Sequence, residues 1–132
     1  MALHESAENY LEMILILQNS GRAEVHAVDV ARALGFSKPS VSRAVSNLKE
    51  AGYLTVDTHG ALLLTEPGRR IAQSVYSRHC AITQWLVALG VDAQTAAEDA
   101  CRMEHVLSEA SFQRISEHVN IRSAEMKEQR DV

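Results

Sequence analysis

Apolar side chains recur every three or four residues over most of this chain. The repeat covers residues 4–18 and a longer segment from Thr65 to about Leu89, and it returns after Asp92 and again after Ser108. Such a period places the apolar side chains on one face of a helix. Three of these segments follow a Thr, Asp or Ser, which are residue types that cap helices. The pattern therefore predicts a mainly α-helical protein.

Two shorter helical patterns follow the first long one. Val28–Leu34 ends at Gly35, and a second helix is predicted over Pro39–Ala51, with Ser37 placed to cap it and Pro in its first turn. Small Ala31 allows the two helices to cross closely at the glycine turn. Two helices joined in this way form a helix-turn-helix.

The hydrophobic period then changes to that of β-strands. Gly52–Asp57 and Ala61–Leu64 are short β-type runs around the turn residues 58–60, and they predict a hairpin. A hairpin directly after a helix-turn-helix is a wing. We therefore predict a winged helix-turn-helix domain over residues 1–70 and an all-helical domain over residues 71–132, joined through the long helix rather than by a flexible tether.

Composition limits the class of protein. The chain has 132 residues, 46% of them hydrophobic, and a net charge of −4. Two cysteines are too few for a disulfide framework, and no apolar run reaches the length of a membrane span, so a reduced, cytoplasmic protein is expected. Residues 21–79 carry eight Lys or Arg against five Asp or Glu, whereas both ends are acidic. The middle is the part suited to contacting phosphates.

The second helix of the predicted helix-turn-helix has a face of hydroxyls and cations that can enter a major groove of double-stranded DNA. Arg43 can reach a guanine edge, and the serines can contact bases or phosphates. His59 lies at the predicted wing tip and can touch the DNA backbone. An ordinary solvated helix face and a free loop histidine are the alternatives. The predicted DNA-binding residues are Ser37, Lys38, Pro39, Ser40, Ser42, Arg43 and His59.

Metal-ligand chemistry is concentrated in one turn of a later helix. Cys101, Glu104 and His105 are spaced at i, i+3 and i+4, which places a thiol, a carboxylate and an imidazole on one helical face. His79 is the one polar member of an apolar seam, a position more often held by a hydrogen-bonded core histidine, and the nearby constellation makes it a candidate ligand. In the first helix, Asn9 and Glu12 share a stripe and can supply oxygen ligands, unless they are only solvated.

These segments together resemble the diphtheria toxin repressor family of iron- and manganese-dependent regulators. The likeness extends over nearly all of residues 5–120. It implies a winged-helix domain, a helical domain that forms a homodimer, and metal ions that favour DNA binding; no SH3-like third domain is expected. The matching segments are Asn9–Leu11, Ser37–Ser42, Leu63–Gly68, Arg78–His79 and Ala100–Ser108.

The residues matching the family's metal ligands form a hybrid. The resemblance implies that Cys101, Glu104 and His105 follow the iron-type pattern, whereas Glu12 and His79 follow the manganese-type pattern. Asn9 stands where the family has Met or Asp, and Thr83 and Ala97 stand where the iron-type ancillary site has an acid and a histidine. A thiolate favours softer ions, so Fe(II) is the expected metal and Mn(II) the alternative; Co(II), Ni(II) or Zn(II) can substitute in vitro.

We expect the metal to bridge the first helix and the second domain, and so to set the spacing of two recognition helices for a palindromic operator. The protein would then repress metal-homeostasis genes and have no small-molecule substrate and no membrane partner. Three alternatives are a zinc hydrolase, for which no acid–base group or substrate site is evident, a thiol sensor using Cys80 and Cys101, and a purely structural metal site.

Overall fold

The computed structural model describes the backbone of residues 5–130 and the side chains of residues 6–119. Its elements occur in the order predicted, with a two-stranded sheet between the third and fourth helices. The mainly helical fold with a winged helix-turn-helix is therefore confirmed. The elements are α1 (Glu5–Asn19), α2 (Ala27–Leu34), α3 (Lys38–Glu50), β1 (Leu54–Val56), β2 (Leu62–Leu64), α4 (Glu66–Ala88), α5 (Ala93–Val106) and α6 (Glu109–Arg130).

The chain divides into two units, Met1–Ser74 and Val75–Val132, with the boundary inside the continuous helix α4. The predicted division at residues 70 and 71 stays a prediction. Among the described residues, none of the helices combines the length and apolar character needed to cross a membrane.

The turn between α2 and α3 has the chemistry that the sequence indicates. Gly35 has φ 71°, in the left-handed region, and its N–H donates to the Ala31 carbonyl at the end of α2. The Ser37 hydroxyl accepts a hydrogen bond from the Ser40 N–H and so caps α3, with Pro39 in the first turn. Ala31 and Val41 are buried where the two helices meet.

The hairpin pairs β1 with β2 in antiparallel register, with Leu54 opposite Leu64 and Val56 opposite Leu62. The Leu62 N–H also donates to the Val25 carbonyl at 2.7 Å, so the segment before α2 extends the pairing of the wing. Leu54 and Leu62 are almost fully buried, which anchors the wing in the core of the first unit.

The core of the first unit is aliphatic, apart from Tyr10. It joins one face of α1 to the helix-turn-helix, the wing and the start of α4. Its fully packed members are Tyr10, Leu11, Ile14, Leu15, Val25, Val30, Ala31, Val41, Leu48, Leu54, Leu62 and Ala72.

The second unit packs the remainder of α4 with α5 and α6. Its buried apolar residues are Val75, Ile82, Ala96, Ala100 and Val119. The helical period predicts an inner stripe of α5 formed by Ala93, Ala97, Cys101 and Glu104 or His105. This prediction is wrong for Ala93 and Cys101, which are exposed. The stripe Ala96, Ala100 and Glu104 is buried instead, since the helical period allows either of these neighbouring stripes and tertiary packing selects this one.

Helix α6 is longer than the sequence suggested. The pattern predicts a short helix after Ser108 and a polar, frayed end after Arg122, but the helix continues to Arg130. No proline or glycine interrupts it, and its last turns are rich in good helix formers such as Glu, Lys, Gln and Arg. The expected solvation of the polar side chains after Arg122 falls outside the described side chains.

Candidate metal centre

Helices α4 and α5 bring a carboxylate between two imidazoles in the second unit. Glu104 Oε2 lies 3.2 Å from His79 Nδ1, and Glu104 Oε1 lies 3.2 Å from His105 Nε2. The Glu104 side chain has no exposed surface, and those of His105 and His79 are 2% and 25% exposed. His79 lies on the seam that includes Val75 and Ile82, and Glu104 lies on the buried stripe of α5. The hydrophobic burial of the two helices therefore holds these polar groups together.

The Glu104 carboxylate is deeply buried yet poorly satisfied. Within the described side chains, neither of its oxygens accepts a hydrogen bond of good geometry, although both lie close to imidazole nitrogens. A buried carboxylate in this state costs free energy unless a cation compensates it. The two oxygens therefore retain lone pairs that a metal ion can use.

The chemistry of the three groups fits a divalent transition metal. A coordination shell with bonds of about 2.1 Å places neighbouring ligand atoms roughly 3 Å apart, which is the scale of the two separations here. Imidazole and carboxylate together suit iron, manganese and zinc. Over residues 6–119, however, no three His, Cys, Asp or Glu side chains are already arranged around one ion position. Binding would therefore require a local adjustment of side-chain rotamers.

The other predicted ligands differ in their environments. Cys101 lies on α5 and is exposed, whereas the side chains of Glu104 and His105 are buried. In the first unit, Asn9 is half-buried on α1, and Glu12 is 6% exposed, which is rare for a glutamate. The participation of Asn9, Glu12 and Cys101 in a metal site stays a prediction.

One further residue, Arg78, contacts the end of α5, although its place in the sequence indicates only that it can meet phosphates or acids. Its Nη1 donates to the carbonyls of Glu104 at 2.8 Å and Leu107 at 3.1 Å, and its Nη2 donates to Glu109 Oε2 at 3.0 Å. Its Cζ lies 4.9 Å from the centre of the Phe112 ring. The only local signal was its position directly before His79; the contacts themselves depend on tertiary packing.

The predicted DNA-binding residues surround the N-terminal half of α3. Lys38, Ser42 and Arg43 are exposed, as a groove-reading face requires. Ser37 and Ser40 are hydrogen-bonded to each other, through the cap and between their hydroxyls at 2.9 Å. Their hydroxyls therefore also stabilise the helix start. Lys38 and Ser42 line a shallow depression of about 150 Å³ together with Ala27 and Val28.

His59 lies exposed at the tip of the wing, where predicted. The turn beneath it is organised by Asp57, whose Oδ1 accepts the N–H groups of His59 at 2.8 Å and Ala61 at 2.9 Å. The hydrogen bond from Ala61, followed by that from His59, holds the pKa of the Asp57 carboxyl below its usual range. The wing tip is thus an ordered turn, which Gly60 completes with a left-handed φ of 84°.

The two halves of the chain match two adjacent family models. Residues 2–62 match the N-terminal DNA-binding domain of the iron-dependent repressors, and residues 65–125 match their metal-binding and dimerisation domain. These matches cover almost the whole chain. The first family model is named for DNA binding, and the second is named for metal binding and dimerisation.

Several known proteins are similar in sequence to this chain over most of its length. An uncharacterised HTH-type transcriptional regulator of Methanocaldococcus jannaschii is 30% identical over 86% of this chain and 91% of its own length. The transcriptional regulator MntR of Geobacillus kaustophilus is 36% identical over 86% of this chain and 80% of its own length.

A solved structure, that of a manganese-dependent transcriptional repressor in complex with manganese, has a TM-score of 0.80 and 30% identity. It aligns with 86% of this chain, which spans about half (52%) of that protein. The similar proteins are transcriptional regulators, which excludes the zinc hydrolase alternative. Domain matches, relatives and fold agree, and the chain belongs to the diphtheria toxin repressor family of metal-dependent transcriptional regulators.

Proposed function

We propose that this regulator is a homodimeric repressor of metal-homeostasis genes in the cytoplasm, and that it binds a palindromic operator when loaded with Fe(II). The observation that carries the metal dependence is the Glu104 carboxylate, fully buried beside two imidazoles without a well-formed hydrogen bond. A divalent cation would supply the missing positive charge there.

His79, Glu104 and His105 are the proposed core of the metal site. Their nitrogen and oxygen atoms come from two helices, so a shared ion would fix α5 against α4 in the second unit. Asn9, Glu12 and Cys101 are the further ligands that the sequence predicts. In this proposal, the metal contributes positive charge and a coordination geometry, and it takes part in no covalent step.

Fe(II) is the first candidate because Cys101 lies one helical turn before Glu104, and a thiolate ligand favours softer ions. Mn(II) is the second candidate. It is favoured by the exposure of Cys101, which leaves a buried set of nitrogen and oxygen donors. It is also favoured by relatives that are named manganese regulators. Co(II), Ni(II) and Zn(II) are expected to bind in vitro.

The DNA contacts proposed for each subunit are the exposed face of α3 and the wing tip. Lys38, Ser42 and Arg43 are exposed on that face, and His59 is exposed on the wing. A helix-turn-helix dimer reads two half-sites at a set spacing, which makes the operator palindromic. Exposed apolar side chains in the second unit, Val87, Leu89 and Val106, are consistent with a second copy covering them.

The decisive experiment is a mobility-shift titration on a DNA fragment selected by the protein from a random-sequence pool. Fe(II) or Mn(II) should tighten binding about 5- to 150-fold, and by linkage the DNA should tighten metal binding by the same factor. The Glu104→Gln variant should lose this response, whereas Glu117→Gln, at an exposed pair with Arg114, should keep it. Equal DNA affinity with and without metal would exclude the co-repressor role.

A further inference from the structure

We infer that Arg78 is a positioning residue for the metal centre, because it holds the last turn of α5, from which Glu104 reaches His79 and His105 contacts Glu104. This inference rests on the proposed metal site. Arg78 precedes His79 on α4, and the Arg78 side chain is only 16% exposed. Arg78 is therefore adjacent to His79 on α4, and its side chain contacts the backbone of Glu104 on α5.

The first contact solves a general problem at the end of a helix. The last four carbonyls of an α-helix have no intrahelical donor. In α5 the Leu107 N–H still reaches the Met103 carbonyl. The next carbonyl is that of Glu104, and Arg78 Nη1 donates to it at 2.8 Å. The residue that carries the buried carboxylate is therefore held through its own backbone.

The same guanidinium also contacts the chain beyond the end of the helix, and these contacts of Arg78 are called the Arg78 clamp. Nη1 also donates to the Leu107 carbonyl at 3.1 Å, where the chain leaves α5 in an extended conformation with ψ 137°. A cation near these carbonyls also interacts favourably with the negative end of the helix dipole. Two carbonyls held by one planar group leave little freedom for the last turn of α5.

The outer part of Arg78 is held by the start of α6. Nη2 donates to Glu109 Oε2 at 3.0 Å, and the guanidinium stacks over the Phe112 ring at 4.9 Å. The planar, forked guanidinium of arginine can donate to all these oxygens and stack on the ring at once, whereas the ammonium of a lysine is a point charge that can contact only some of them. The clamp therefore connects the residue next to His79 with the C-terminal turn of α5 and the first turn of α6.

The test compares four variants of the full chain: Arg78→Gln, Arg78→Lys, Glu104→Gln and the exposed control Arg114→Gln. Mn(II) affinity and the visible absorption spectrum of the Co(II) form are measured well below each variant's melting temperature. Supporting groups around a metal ligand typically contribute 10- to 100-fold to affinity. The Mn(II) affinity of Arg78→Gln should fall by about that factor, and its Co(II) spectrum should change. The Mn(II) affinity of Arg78→Lys should fall less, and that of Arg114→Gln should stay within about twofold of the wild type.

Amide hydrogen exchange gives a second readout on the metal-free protein. Exchange at Glu104 and His105 should be faster in Arg78→Gln than in Arg114→Gln, because the last turn of α5 is no longer held. A folded Arg78→Gln with the affinity and Co(II) spectrum of the wild type would overturn the inference. If Arg78→Gln does not fold, a folded Arg78→Lys with unchanged affinity would overturn it. Wild-type metal binding by Glu104→Gln would instead overturn the proposed metal site, and this inference with it.

Discussion

Glu104 and His79 lie on different helices, yet the Glu104 Oε2 and His79 Nδ1 atoms are 3.2 Å apart, and the glutamate side chain has no contact with solvent. A buried carboxylate that lacks a well-formed hydrogen bond usually marks a functional role rather than a stabilising one. The pair therefore predicts that metal binding and stability are coupled in this protein.

The first prediction concerns the stability of Glu104→Gln. The variant removes a buried charge, so the metal-free variant should melt within about 3 °C of the metal-free wild type. Wild-type protein with Mn(II) at about 100 times its Kd should melt about 10 °C higher than without it, and the variant should lose this gain. Differential scanning calorimetry measures both effects. Unfolding of the wild type on metal removal would instead indicate a purely structural site.

The second prediction separates Fe(II) from Mn(II) through Cys101. If the thiolate is a ligand, the Co(II) form should show thiolate-to-metal charge-transfer absorption that Cys101→Ser abolishes. The same substitution should then weaken Fe(II) binding about 10-fold or more, and Mn(II) binding less, because the thiolate favours the softer ion. Cys80→Ser, a half-buried thiol on α4, is the matched control. Unchanged affinity for both metals in Cys101→Ser would leave Mn(II) as the better candidate.

The third prediction concerns the recognition helix. Arg43 is exposed in the middle of α3, and a guanidinium that reads a guanine edge contributes about 1–3 kcal/mol. Arg43→Ala should therefore weaken binding to the selected operator about 5- to 150-fold and relax the preference at one base position. Lys49→Ala, at the end of the same helix, should weaken operator binding less than Arg43→Ala and leave the sequence preference unchanged. Fluorescence anisotropy with single-base operator variants distinguishes the two outcomes.

The fourth prediction contrasts two glycines of the first unit. A methyl group at Gly68 would overlap the Tyr53 backbone carbonyl. A methyl group at Gly35 would contact no atom within 4 Å, so the only strain there comes from the left-handed backbone conformation. Gly68→Ala should cost about 3 kcal/mol or more, because α4 must move away from the wing. Gly35→Ala should cost about 1 kcal/mol. Urea unfolding gives both values, and an equal cost for the two would contradict the close packing at Gly68.

The fifth prediction concerns the wing at low pH. The hydrogen bonds from Ala61 and His59 lower the pKa of Asp57 in the folded state. A lowered folded-state pKa means that this stabilisation is present above the carboxyl's ordinary pKa and is lost as the pH falls through the lowered value. NMR titration should show the His59 and Ala61 amide signals shifting together with the Asp57 carboxyl, at a pH below the ordinary aspartate range. The Asp57→Asn variant should show no such transition.

The sequence alone determined the fold class and most of the helix limits, because both depend on local physics. Hydrophobic periods, the Ser37 cap, Pro39 and Gly35 act within a few residues, and they predicted the helix-turn-helix and the wing within about one to three residues of their observed ends. The spacing of Glu104 and His105 also follows from the helical period. The motifs in the sequence are sufficient by themselves to indicate the family, because they are read from residue types and spacing alone.

Only the tertiary structure decided which face of α5 is buried and what surrounds Glu104. Several stripes of α5 are small or apolar, so the period allowed both the Ala97–Cys101 stripe and the Ala96–Ala100 stripe, and packing selected the second. The Arg78 clamp on two distant carbonyls and the contact of Gly68 with Tyr53 join residues far apart in the chain. Local pattern carries no information about such pairs, because their geometry is set by the packing of whole helices.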